Sequence, residues 1–154
     1  MKALKIICIL FLIVNFVSWG FAEDVKRVSK VIDVSGKVIV KPSGEKGWIP
    51  VQKGMIISEG DILKTKVNSW ALLNLNGSGE TATVEVEENS QLAFTELTKD
   101  DQGVEKTFLD LALGKLLIEA KKLESEKSKF EVKTPTSIVG VRGTTFAIEV
   151  EAID

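Results

Sequence analysis

Apolar residues recur at every second position along most of this chain, the period of strands with one buried face. Val38 and Val40 lie on one side of a short run, with Ile39 on the other. Ala71, Leu73 and Leu75 share a face between Trp70 and Leu75. Ala82, Val84 and Val86 answer them, with Thr83 and Glu85 turned outward. Leu92 and Phe94, then Phe130 and Val132, mark further strands. Phe146, Ile148 and Val150 alternate with Ala147, Glu149 and Glu151. Val25 to Val34 reads as a first strand in which Ile32 and Val34 share a face. Turn chemistry separates these runs: Ser35-Gly36, the polar loop from Pro42 to Gly47, Gly60-Asp61, Asn76-Gly77 and the loop from Thr98 to Gly103. Asn-Gly is the strongest short hairpin signal. In Gly60-Asp61 the glycine supplies a positive φ and the carboxylate accepts backbone N–H bonds. Ile56, Ile57, Ile62 and Leu63 around it are expected in the core.

One segment carries two periods. Leu109, Ala112, Leu113, Leu116, Leu117, Ala120 and Leu123 fall at helical spacing, and their leucine, lysine and glutamate neighbours favour a helix. Gly114 weakens that reading. Ile32 to Val40 also resembles Leu109 to Ile118, with a glycine-lysine pair in each and one residue inserted before the second glycine. The first copy reads as strand, turn, strand, so the expectation is two strands around Gly114. Similar turns that stack suggest a coiled, solenoid-like sheet.

The first residues change the picture at one end. Lys2 and Lys5 precede an apolar run from Ile6 to Val17, and Gly20 and Ala22 place small residues where a signal peptidase reads. This predicts a signal peptide over residues 1–22 rather than a retained anchor, whose span needs ~20 apolar residues. Cys8 lies inside the apolar run, which argues against a lipoprotein anchor. Removing 22 of 154 residues leaves one domain, 23–154, of 132 residues. Losing Lys2 and Lys5 from 20 basic residues leaves 18 against 22 acidic ones. The signs are interspersed, so no basic footprint for nucleic acid is present. The mature chain would hold no cysteine, and the whole chain has no histidine. His-based triads and the usual zinc sites are therefore excluded. Glu85, Glu87 and Glu88 invite a metal reading, but alternation puts them on a solvated strand edge. No metal and no cofactor is expected.

The densest stretch runs from Thr134 to Phe146. Pro135 cannot donate to a ladder and marks a strand end. Gly140 and Gly143 suggest a bulge, a bend or a close backbone approach. Arg142 between them reads as a brace for the turn, with Asp61 as the first partner to consider. The run Arg142-Gly143-Thr144, followed after one residue by Phe146, resembles the end of the FecR-type domain. Trp48, Pro50, Gly54, Gly60-Asp61 and Thr65 follow that family's order upstream. The strand, glycine and strand around Gly114 lead into Phe130 to Pro135 as its pattern does.

The resemblance covers roughly residues 30 to 150. It implies an all-β fold, a twisted β-sandwich or β-solenoid-like sheet after the signal peptide, and structural roles for the motif residues. In that family the domain often forms the periplasmic half of a transmembrane regulator that relays a receptor's state to a sigma factor. Only Met1 to Lys5 precede the apolar run here, and the chain stops soon after Phe146. The expectation is therefore a fragment or minimal version without the cytoplasmic anti-sigma region. The leading functional expectation is an exported, non-enzymatic module, periplasmic or secreted, that binds an envelope protein or an envelope polymer. A relay working with a separate membrane partner is the second reading. A polysaccharide enzyme with two acids facing a cleft is the third.

Overall fold

The structure is a computed structural model and describes residues 24–76, 82–123 and 125–152. The signal segment and all of the Asn76-Gly77 hairpin turn except Asn76 lie outside the described residues. The fold is all-β, with no helix among the described residues. Its strands are β1 (Val25–Lys26), β2 (Ser29–Ser35), β3 (Val38–Lys41), β4 (Ile49–Pro50), β5 (Ile56–Ile57), β6 (Ile62–Thr65) and β7 (Trp70–Leu75). They continue as β8 (Ala82–Val86), β9 (Gln91–Lys99), β10 (Glu105–Ala120), β11 (Lys129–Lys133), β12 (Ile138–Gly140) and β13 (Thr145–Val150).

These strands form one strongly curled sheet with two lobes. One lobe runs β4-β3-β6-β9-β10-β11-β12, with β1 added to the end of β9. The other runs β5-β2-β7-β8-β10-β13. Strand β10 belongs to both. Its first half pairs with β9 and β11, its second half with β8 and β13. Alternate side chains from both lobes build a single core that includes Val38, Val40, Leu63, Leu73, Val84, Phe94, Leu111, Ile118 and Phe130. Burial of that apolar surface is the main force holding the lobes together. Nearly all pairing is antiparallel, but β11 lies parallel to β10, with Lys129 beside Lys106. The second half of β10 thus acts as the crossover that parallel strands require, and this stretch winds like one coil of a solenoid.

Four passes of the chain turn a corner side by side from one lobe to the other: β2 to β3, β6 to β7, β8 to β9, and the middle of β10. Gly36 and Gly114 sit at two of these corners with φ of 74° and 95°. A Cβ on Gly114 would lie 2.5 Å from Ser90 Cβ and closer still to its hydroxyl. A Cβ on Gly36 would lie 2.8 Å from Asn68 O and closer still to Ser69 Oγ. Positive φ and close approach both demand glycine at these places.

Several sequence expectations change here. Val25 to Val34 is two strands, because Arg27 is buried between β1 in one lobe and β2 in the other. Its guanidinium donates to Thr107 Oγ1 at 3.1 Å, to Thr98 O and to Asn76 Oδ1, with Glu105 at 3.8 Å. Burial pushes its pKa below the usual arginine value, and Glu105 opposes that shift. A register shift at Ile32 makes Val31 the buried apolar residue of β2 and leaves Ile32 half-buried. Ile57 and Leu63 are in the core as expected, whereas Ile62 is only half-buried and Ile56 is 49% exposed on the short edge strand β5. Leu109 to Ala120 is strand, not helix, but it is part of one continuous strand bent at Gly114 rather than two strands.

Candidate interaction site

Beyond β10 the two lobes part. One continues as β11 and β12, the other as β13, and a cleft of about 640 Å³ opens between them. Its floor is the bent middle of β10 at Ala112 and Leu113, the latter 36% exposed. One wall is the turn from Thr134 to Ser137 between β11 and β12. Thr134 holds that turn, since its hydroxyl accepts from Ser137 N at 3.0 Å and meets Ser137 Oγ at 2.9 Å. This side-chain mimic of a backbone turn leaves Pro135 at the tip. The other wall is the end of β13, from Ile148 to Val150, with Glu151 and Ala152 after it. Ile148 and Val150 are half-buried against the core, while Glu149 and Glu151 are exposed. No lysine or arginine lines the cleft.

A smaller hollow, about 320 Å³, lies on the lobe that carries β11 and β12, lined by Phe108, Glu131 and Ile138 among others. Its acids are partly used: Asp110 pairs with Lys133 at 3.8 Å.

Most motif residues from the sequence lie away from the cleft. Trp48 is 38% exposed, with Lys64 Nζ 4.6 Å from its ring centre, a cation–π contact. Pro50 lies on β4, an edge strand that tolerates a missing donor. Gly54 N donates to Val31 O at 2.8 Å, and Gly60 N to Phe94 O at 2.7 Å. Asp61 is buried and accepts from Ser43 N and Ser58 N, both at 2.8 Å. Thr65 Oγ1 donates to Glu87 O and accepts from Ser90 N. Thr144 O accepts from Ala120 N, and Phe146 sits opposite Ile118. Of the motif residues only Pro135 lines the cleft.

Two expectations are corrected. Asp61 and Arg142 are not brought together: two backbone amides satisfy the acid, and Arg142 is exposed with no ion pair among the described residues. Gly140 marks neither a bend nor a close approach. It is an ordinary residue of β12, and a Cβ there would meet open space. Gly143 does turn the chain, with φ 72° and a would-be Cβ 2.7 Å from Lys122 Cα. The acids of the β8 end are engaged: Glu87 pairs with Lys115 at 3.1 Å, and Glu88 accepts from Asn68 N.

The sequence reading missed the cleft residues Ala112, Leu113, Ile148 and Val150 as a site. The available signal was the alternation from Phe146 to Glu151, which lays an apolar row beside an acidic one. No helix among the described residues is long and apolar enough to cross a membrane. A family model described as FecR protein matches residues 61–154. Neither a curated protein nor a solved structure matches the chain.

Proposed function

Because the chain belongs to the FecR protein family, we propose that it is a non-enzymatic, protein-binding domain of the cell envelope, exported by its N-terminal segment. The observation that carries this reading is the unsealed cleft between β13 and the β11–β12 turn, with its apolar floor and half-buried apolar wall. Exposed apolar surface of this kind, rimmed by polar groups, is typical of contact surfaces. Its two carboxylates, Glu149 near the end of β13 and Glu151 just beyond it, both lie on the same wall of the cleft. Glycoside hydrolysis needs acids that flank the scissile bond from opposite sides, so this arrangement favours binding over cleavage. The partner in this reading is another envelope protein, which leaves room for a relay role through a separately encoded membrane protein.

A photoreactive side chain in place of Leu113, exposed to solubilised envelope, tests the site against the same group at Lys46 in the polar loop. We expect a discrete adduct from the cleft and none from the loop. Release of fragments from peptidoglycan, lost in Glu149→Gln or Glu151→Gln, would instead establish the enzyme.

A further inference from the structure

Resting on that reading, we propose the form the partner takes: an extended segment of another protein that adds to the free edge of β13 as a further strand. It would carry apolar side chains at alternate positions and a lysine or arginine beside Glu149.

The hydrogen-bond ladder defines the edge. Ala120 N donates to Thr144 O at 3.1 Å, which sets the alternation along the β10–β13 pair. Phe146, Ile148 and Val150 then exchange backbone bonds with Ile118, Leu116 and Gly114. Thr145, Ala147 and Glu149 turn their N–H and C=O groups away from β10. Glu87 N donating to Lys115 O at 3.0 Å shows the same alternation from the β8 side. No described strand pairs with β13 on that outer side. Of the other edges, β12 is three residues long and β4 and β5 two each, against six for β13. Very short edges resist pairing, and longer ones template it.

Side chains and charge select the occupant. Phe146, Ile148 and Val150 are packed against the core only in part, so a strand laid beside them would place its own alternate residues against this row and over the cleft. The cleft wall carries Glu149 and Glu151 and no cation. Neither acid has an ion pair among the described residues. Lys115, across the ladder from Glu149, is held by Glu87 at 3.1 Å. A cation on the added strand would meet an anionic rim, which sets register and orientation. Strand addition of this kind draws affinity from main-chain bonds and specificity from alternate side chains.

The test uses the purified chain and a soluble synthetic peptide that alternates valine with threonine and lysine. Amide exchange is followed residue by residue. Saturable protection of the Thr145, Ala147 and Glu149 amides is expected, and it should vanish when alternate peptide nitrogens are methylated. Ala147→Pro removes one outward donor while Phe146 and Ile148 keep their bonds to β10, and it should abolish binding. Glu149→Lys should weaken the peptide about three- to tenfold, and a glutamate-bearing peptide should recover the loss. Protection at Ile138 and Gly140 instead would overturn the proposal. So would protection of the β13 edge that grows with protein concentration without peptide, which means a second copy pairs there, or binding of peptidoglycan fragments alone. An envelope adduct at position 113 without β13 protection would leave the interaction domain standing and remove strand addition. Neither adduct nor protection would remove both.

Discussion

The corners at Gly36 and Gly114 are built from the same parts and end differently. At each, a glycine of positive φ is followed by a lysine whose N–H donates to a serine hydroxyl on the neighbouring pass, Ser69 for Lys37 and Ser90 for Lys115, both at 2.9 Å. Each serine follows an asparagine of positive φ, Asn68 at 52° and Asn89 at 53°. Yet the chain breaks into two strands at Gly36 and runs on as one 16-residue strand through Gly114. The neighbours of the two corners differ as well. Outside the first corner lie only the two-residue strands β4 and β5. Outside the second lie β11 and β13, each with a longer ladder. Long ladders on both edges accompany the unbroken β10, but two-sided pairing is not sufficient by itself, since the inner passes β6 to β7 and β8 to β9 have it and still break at their corners.

That comparison is most directly broken by filling the glycines. Gly114→Val should cost about 3–5 kcal/mol, combining backbone strain with overpacking against Ser90, and Gly36→Val about 2–3 kcal/mol. Urea midpoints measure both. Equal losses would mean that the flanking strands contribute nothing to the second corner. Gly143 offers a third positive-φ turn, outside the row of corners and exposed. Gly143→Val should cost about 1–3 kcal/mol through strain and contact with Lys122, and a midpoint unchanged from wild type would show a permissive turn. The mildest change sharpens the likeness: Ser69→Ala and Ser90→Ala each leave one part-buried N–H without its acceptor and should cost about 1 kcal/mol. A difference beyond about 1 kcal/mol between them would show that the shared geometry does not carry shared energetics.

Strands whose alternation is unbroken were legible from their residues alone. Ala71, Leu73 and Leu75 are buried, as are Ala82, Val84 and Val86. Where a residue is inserted into a ladder the phase slips, and local pattern misleads. In β10 the core positions are Leu109 and Leu111 before the bend, then Leu116, Ile118 and Ala120 after it. A register shift between Leu111 and Leu113 changes the phase. Together with the outward Leu113 and Leu117, this imitates helical spacing. The repeat of Ile32 to Val40 in Leu109 to Ile118 did signal a shared structure, two corner passes. The Asn-Ser pairs that complete those corners went unread because each is contacted from a distant strand. The cleft was illegible for the same reason: Leu113, Pro135 and Ile148 meet only through the tertiary fold.

The parallel alignment of β11 on β10 bears on the order in which this domain can assemble. Strands β1 to β9 can pair antiparallel among themselves and need nothing downstream of β9. Strand β11 has no place until β10 has run its whole length and the chain has come back to lie beside Lys106, and β12 needs β11 in turn. β13 must likewise await the second half of β10. Such distant pairing carries a loop-closure entropy that slows folding. Under the export proposed above, with the N-terminus leaving first, the edge of β13 would be among the last parts to form. Until then the second half of β10, paired with β8 on one side, has its other edge unpaired, and chaperones that recognise extended apolar segments would have their window there.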